Sequence, residues 1–376
     1  MIERKIKDVI MSQMFRRKAV VVIGPRQVGK TTLLNMLEAE ADKRVLFWNC
    51  DEPDIRKKLS QPTSTQLKAD IQGFELVLID EAQRVPNIGL TLKLLIDHSP
   101  EIQVVVTGSS ALELSGAITE SLTGRKYEYC MFPISVEELI AHNGWQTERR
   151  MLERRLVYGT YPDVVNSAGE EREILSNLAG SYLYKDIFAF QDVRKPEIIE
   201  QLLQALALQL GSEVSFNELG RLLGLNIQTI QRYIDLLEKS FVIFHLRSFS
   251  RNVRNELKKS RKIYFWDNGV RNALIGEYKN LALRQDVGAL WENYLVSERM
   301  KHNAYSQFYG HSYFWRTQQQ QEIDYLEDID GTLHAYEFKW SETKHPRLTE
   351  TFAKNYPNHT FMVVNPENYR SFVTGE

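Results

Sequence analysis

The sequence predicts an α/β chain of several domains, and three observations predict it. Short β-branched runs alternate with helical patterns through the first third. In the middle, two helix-sized segments flank a glycine turn and lead into a basic run. Near the C-terminus, period-two strands follow a helix. At 376 residues, two to four domains are expected, each burying its own core. We divide the chain into 1–145, 146–205, 206–275 and 276–376.

The first run, Ala19-Val20-Val21-Val22-Ile23, reads as a buried strand. It enters Gly24-Pro25-Arg26-Gln27-Val28-Gly29-Lys30-Thr31, a complete G-x-x-x-x-G-K-[ST] loop, and Thr32-Leu33-Leu34-Asn35-Met36-Leu37 then begins a helix. Strand, glycine loop and helix start turn backbone N–H groups and a helix dipole onto the phosphates of a nucleotide. Gly24 through Thr32 is therefore the candidate nucleotide loop. Lys30 reaches the β- and γ-phosphates, and the Thr31 hydroxyl ligates Mg²⁺. Further apolar runs at 44–49, 75–79 and 102–106, interleaved with helices, imply a parallel sheet that takes its ligand at the carboxyl ends of the strands.

The third run ends Leu76-Val77-Leu78-Ile79-Asp80-Glu81. Four apolar residues before two acids also describe a strand running into a solvated turn, but fifty residues after a phosphate loop they form a Walker B pattern. Asp80 then holds Mg²⁺ through water, and Glu81 polarises the attacking water. With no Asn-Lys-x-Asp guanine-reading motif, ATP is the expected nucleotide. The fourth run closes on Val106-Thr107-Gly108-Ser109-Ser110. Ser109 is the candidate to bond the γ-phosphate or the attacking water, although this stretch equally reads as a helix N-cap before Ala111. Arg125 precedes a fifth strand and is a candidate arginine finger, acting in cis or from a neighbouring subunit; a plain surface arginine is the alternative.

These stretches, with Pro25-Arg26-Gln27-Val28 inside the loop, Asp80-Glu81-Ala82-Gln83-Arg84-Val85-Pro86 and Ser121-Leu122-Thr123-Gly124-Arg125, resemble the bacterial and archaeal AAA+ ATPases that carry a C-terminal domain of unknown function, DUF4143. The resemblance covers essentially the whole chain. It implies an AAA-type core and assembly into a homo-oligomer.

From 146 to 210 the pattern is helical, broken at Tyr158-Gly159-Thr160-Tyr161-Pro162-Asp163, which is similar to the family's Gly-x-Tyr-Pro-x-Val turn. Ser215 is a natural N-cap with Glu218 completing a capping box; Gly224 supplies a turn and Asn226 caps the next helix. There Ile227, Ile230, Ile234 and Leu237 share one face, with Gln228, Thr229, Gln231 and Arg232 on the others. This is the layout of a winged helix-turn-helix, with Phe241–Leu246 starting the wing. Residues 247–262 hold seven Lys or Arg against one Glu, the strongest nucleic-acid signal in a chain of net charge −2. Winged helices also dock proteins, and a basic run is also an ordinary solvated loop.

The last segment reads helix, three strands, helix, strand, with Asp328-Ile329-Asp330-Gly331 turning the second strand into the third. Asp324 lies on one strand and Glu337-Phe338-Lys339 on the next, an order that resembles the restriction-endonuclease-like fold. Glu337 and Lys339 project from one face. Asp324 and Glu337 are candidate ligands for a nuclease Mg²⁺, with Lys339 and Glu292 of the preceding helix beside them. A surface hairpin with solvated charges is the competing reading.

Two cysteines without metal-ligand spacing and no apolar run of membrane-spanning length predict a cytoplasmic protein in a reducing compartment, without a membrane partner. Three functions follow. One is an ATP-driven DNA-processing enzyme; another is a regulatory ATPase that switches a DNA-binding module without cleavage. The third is a protein-interaction switch.

Overall fold

The computed structural model describes residues 1–108, 121–182, 196–250, 261–341, 343 and 346–376. They form two compact units, Met1–Ile134 with Lys239–Phe241, and Ser135–Glu238 with Val242–Glu376.

In the first unit α1 (Lys5–Gln13) precedes β1 (Ala19–Ile23), α2 (Lys30–Glu40), β2 (Val45–Asn49), α3 (Pro53–Leu59), α4 (Ser64–Asp70), β3 (Leu76–Asp80), α5 (Ile88–His98), β4 (Gln103–Gly108) and β5 (Lys126–Cys130). The sheet order is β2-β3-β4-β1-β5, and every pairing is parallel. All residues of β1, β3 and β4 are buried, so these strands read as continuous apolar runs rather than alternating ones. The predicted strands are all present. Helix α1 is an addition: Ile6 and Ile10, four apart, bury one face of a segment that otherwise reads as charged.

The second unit begins with α6 (Val136–Asn143), α7 (Trp145–Tyr158), α8 (Pro162–Asn166) and α9 (Glu171–Asn177). Helix α7 stops at Gly159, whose φ is 71°. A side chain there is excluded, because a Cβ would lie 2.1 Å from Asp267 Oδ1. The Asp267 carboxylate instead accepts hydrogen bonds from Thr160 N (2.7 Å) and Val270 N (3.0 Å). The Gly-x-Tyr-Pro turn is thus the place where a buried acid meets the chain.

Next come α10 (Pro196–Leu208), β6 (Glu213–Val214), α11 (Phe216–Leu223), α12 (Ile227–Lys239), β7 (Ile243–Ser248) and β8 (Arg261–Phe265). Gly224 ends α11 at φ 66°, and Asn226 Oδ1 caps α12 by accepting from Thr229 N at 2.8 Å. Two expectations need correction. The capping box at Ser215 is half made, with Ser215 Oγ accepting from Glu218 N but, among the described residues, no return bond. Ile230, Ile234 and Leu237 are buried, whereas Ile227 stays exposed in the first turn of its helix.

The remainder is α13 (Asn268–Leu274), α14 (Val287–Tyr305), β9 (His311–Arg316), β10 (Glu322–Ile329), β11 (Thr332–Phe338), α15 (Glu350–Asn355), β12 (His359–Val364) and α16 (Tyr369–Thr374). Asp330 and Gly331 both have positive φ, as a two-residue hairpin turn between β10 and β11 requires. One seven-stranded mixed sheet collects the strands in the order β12-β11-β10-β9-β7-β8-β6. The β7–β8 hairpin therefore shares a sheet with the C-terminal strands, through a parallel pairing of Arg247 with Tyr313 and Ser248 with Phe314. Phe249, Trp315, Ile323, Leu326, Leu333 and Phe352 pack against one another in its core. No helix among the described residues is long and apolar enough to cross a membrane.

Candidate nucleotide site and carboxylate–lysine cluster

Between β1 and α2 the loop Gly24–Gly29 is shaped by its neighbours. A Cβ on Gly24 would lie 2.2 Å from the Met131 carbonyl oxygen, so only glycine fits, and Gly29 sits at φ 92°. Gln27 adopts the left-handed region at φ 61°. Pro25 and Val28 are buried, Arg26 is half-buried and Gln27 is exposed. Lys30 is buried, its Nζ donating to the carbonyls of Gly24 (3.2 Å) and Pro25 (2.8 Å). Thr31 and Thr32 follow it in the first turn of α2.

The end of β3 meets this loop. Thr31 Oγ1 donates to Asp80 Oδ2 at 2.6 Å, and Thr107 Oγ1, on the neighbouring β4, donates to Asp80 Oδ1. Glu81 leaves the strand in the left-handed region (φ 52°), its N–H shared between Asp80 Oδ1 and Thr107 Oγ1. Its carboxylate accepts from Gln83 Nε2 at 2.6 Å. A hydroxyl and a carboxylate in contact are the hard oxygen donors that Mg²⁺ selects, so Thr31 and Asp80 fit that ion. Beside them, burial pushes the Cys50 thiol up to about 12, with Asp80 adding to the shift.

The structure therefore brings Lys30, Thr31, Asp80 and Glu81 together. It does not bring Arg125 to them. Arg125 precedes β5, and its carbonyl accepts from Ala19 N at the amino end of β1, whereas the loop leaves the carboxyl end. A five-residue strand separates the two by roughly 13 Å. There Arg125 Nε donates to Asp97 Oδ1 at 2.7 Å. Ser109 lies outside the described residues. Thr107 and Gln83 were not singled out from sequence, although both stand within stretches that were. Arg4, which donates to the loop from outside it, gave no local signal.

In the second unit, Asp324 on β10 lies one register step beyond the Tyr325–Tyr336 pair, which sets it opposite Glu337 on β11. Asp324 Oδ2 accepts from Phe338 N at 2.7 Å, and Glu337 Oε1 accepts from Lys339 Nζ at 2.7 Å. Glu292 on α14 joins them, accepting from Tyr264 Oη (2.7 Å) and Lys262 Nζ (2.9 Å). Lys262 also pairs with Glu322. Burial, then the charge of Glu292, push the Asp324 carboxyl up to about 7 against the pull of Lys262. Burial and Asp324 likewise raise Glu337.

Sequence alone assigned Lys262 to an exposed basic wing. It is instead almost completely buried, an ammonium bridging two carboxylates. Arg247 is exposed and Arg261 lies over the Phe216 ring, while Arg251, Arg254, Lys258 and Lys259 lie outside the described residues. The expected residues converge, yet their charge is answered from within. Among the described residues no three acidic, histidine or cysteine side chains stand close enough to hold a metal ion. Asp324 and Glu337 therefore stand as a pair of carboxylates without a third such ligand beside them among the described residues.

The first unit, a parallel sheet with the phosphate loop after its first strand and the acid pair after its third, has the fold of a Walker-type P-loop ATPase. A Walker-type ATPase of Pyrococcus abyssi shares it, with a TM-score of 0.50 at 15% identity over 73% of this chain and 96% of that one. Residues 16–140 match the AAA domain family, and residues 287–375 match the domain of unknown function DUF4143. The chain is thus similar to AAA-domain proteins that carry a C-terminal DUF4143 domain. A further domain of unknown function, DUF8612, matches residues 149–280. An uncharacterized protein of Mycobacterium tuberculosis is 27% identical over 351 residues, which are 91% of this chain and 75% of the relative. One from Haemophilus influenzae is 26% identical over 283 residues, 68% of this chain and 69% of its own.

Proposed function

We propose that the protein is a Mg²⁺-dependent ATPase that hydrolyses ATP to ADP and phosphate. The observation that carries this is the meeting of Lys30, Thr31, Asp80 and Glu81 at the carboxyl ends of β1 and β3. The Lys30 ammonium, resting on two neutral carbonyls, exchanges them for β- and γ-phosphate oxygens, which are stronger charge-assisted partners. Thr31 and Asp80 would hold a Mg²⁺, which when bound would add to the neutralisation of phosphate charge. Glu81 takes a proton from water as its oxygen bonds to the γ-phosphorus and the bond to the β-phosphate oxygen breaks. The test is ATP turnover by the full chain beside Lys30→Ala. Unchanged turnover in that variant would remove the loop from the mechanism.

For the second unit we propose a winged helix-turn-helix built from α10 to β8, engaging DNA through the exposed Gln228, Gln231 and Arg232 of α12. Lys262, whose ammonium already answers Glu292 and Glu322, favours the regulatory reading, in which this unit binds without cutting. Incubation of wild type with plasmid DNA and Mg²⁺ or Mn²⁺ tests it, and cleavage lost in Glu337→Ala would restore the nuclease reading. The domain limits 145, 205 and 275, a homo-oligomer and a cytoplasmic location belong to the same proposal.

A further inference from the structure

The phosphate loop has a support that its motif does not contain. Arg4 is 4% exposed and reaches the loop from the residue before α1. Its Nη1 donates to the Val28 carbonyl at 2.6 Å and its Nη2 to the Phe132 carbonyl at 2.6 Å. Phe132 follows Met131, whose N–H donates to Ile23 O at 2.8 Å and whose own carbonyl is the one that crowds Gly24. One planar guanidinium thus ties the second half of the loop to the segment that walls the first half. Its own position is fixed as well. The Arg4 carbonyl accepts from Lys7 N at 2.9 Å, and Lys7 Nζ donates to Glu40 Oε1 at 2.5 Å, at the far end of the helix that Lys30 begins.

The consequence follows from peptide geometry. A trans peptide is planar, so the Val28 carbonyl and the Gly29 N–H point in opposite directions. With the carbonyl held by Arg4, the Gly29 N–H is turned away from Arg4. Gly29 sits at φ 92°, a conformation glycine adopts without strain, and its own carbonyl accepts from Leu33 N at 2.9 Å. A cation on the carbonyl also polarises the amide, which makes that N–H a stronger donor.

We propose that Arg4 is a positioning residue of the nucleotide site: it sets and polarises the Val28–Gly29 peptide so that the Gly29 N–H receives a phosphate oxygen. The proposal rests on the ATP-binding reading and deepens it. Arg4 acts through the Val28 carbonyl, so its effect falls on binding and not on the chemical step.

The experiment titrates the full chain with Mg²⁺ and the methylanthraniloyl derivative of ATP, and measures steady-state ATP hydrolysis, for wild type, Arg4→Ala, Arg4→Lys and Lys30→Ala. Losing a charge-assisted bond should weaken binding in Arg4→Ala by about tenfold or more. KM should rise by a similar factor while kcat at saturation is unchanged. Arg4→Lys keeps the charge but lacks the fork that spans two carbonyls, so it should fall between. Unchanged binding and KM in Arg4→Ala, or a loss of kcat alone, overturns the proposal. If Arg4→Ala does not fold, Arg4→Lys decides: wild-type affinity at an unchanged melting temperature overturns it equally. Lys30→Ala separates the two levels. Wild type that does not bind the analogue removes the nucleotide site itself. Binding that is lost in Lys30→Ala but untouched in both Arg4 variants removes only Arg4.

Discussion

Glu81 sits where a side chain is costly, in the left-handed region at φ 52°, and its N–H, donating to Asp80 Oδ1 and Thr107 Oγ1, holds it there. Strain of this kind amounts to about 1–3 kcal/mol and gathers where orientation matters. Glu81→Gln keeps the backbone and the size of the side chain, so nucleotide binding should persist while turnover falls by about 10²–10⁴-fold; loss of binding in a filter assay would make Glu81 structural instead. Lys262 gives the opposite kind of prediction. Replacing it by Ala removes the shared cation from Glu292 and Glu322, which are partly buried and keep Tyr264 and Arg316 as partners, and should cost about 1–3 kcal/mol in denaturant unfolding. A cost near zero would mean that the ammonium is not what holds the cluster. These two residues also mark what was legible at this scale. Glu81 belongs to a contiguous pattern whose chemistry is local. Lys262 reads as part of a basic run because its partners are 30 and 60 residues away, and only the sheet brings them near. Arg4 is hidden for the same reason, since its partners come from Val28 and Phe132.

Between elements, α13 and α14 are joined by Asp286, whose carboxylate accepts from Arg271 Nη1 (2.6 Å) and Arg284 Nη2 (2.8 Å). Burial raises its affinity for a proton, but the two guanidinium bonds outweigh burial and bring it from 3.8 down to about 2. A depressed carboxylate stabilises the fold fully above its unfolded value and loses that contribution as pH falls toward the folded one. Asp286→Asn should therefore lower stability by about 2 kcal/mol at pH 7, somewhat less for its partial exposure, with the difference shrinking between pH 4 and pH 2. Melting curves at pH 7 and pH 3 check it; an equal deficit at both would exclude the charge. The strands themselves were legible because β1, β3 and β4 are buried on both faces and the starts of β10 and β11 alternate. Helix α1 was not, since Ile6 and Ile10 are too few to mark a period in nine residues. Arg125 shows how an element decides a residue's reach. At the amino end of β5 it is on the wrong edge of its own sheet for a cis finger, so any such role is in trans. Arg125→Ala should then lose about 10³-fold or more in rate, and mixing it with Glu81→Gln should recover activity at hybrid interfaces. An unchanged rate would leave it as the partner of Asp97.

For the molecule as a whole, a net charge of −2 makes any DNA affinity local rather than general. With Lys262 withdrawn into the second unit, Arg247 is the exposed cation among the described residues of the basic run, and Arg232 is exposed on α12. DNA affinity should fall as salt rises, with a slope near 0.9 for each phosphate contact. Replacing Arg254, Lys258 and Lys259 together should flatten that slope, as fluorescence anisotropy across a salt series would show. A slope unmoved by the triple variant would shift the contact to α12. Apart from α1 and α16, most of the order of elements in each unit was legible from pattern. Their union into one seven-stranded sheet was not, because the parallel pairing of β7 with β9 joins strands more than sixty residues apart and leaves no mark in either.

That pairing sets where the chain tolerates being cut. Residue 276 is an inviting start for a fragment carrying only the C-terminal strands, since the segment before it ends in a helix and a turn. Such a fragment would keep β9 to β12 but lose the neighbour that covers β9, uncovering backbone N–H and C=O groups along Tyr313 and Phe314. Bare edges of that kind recruit other chains. The fragment should come out of expression as aggregate, whereas one starting ahead of α6 should remain dispersed.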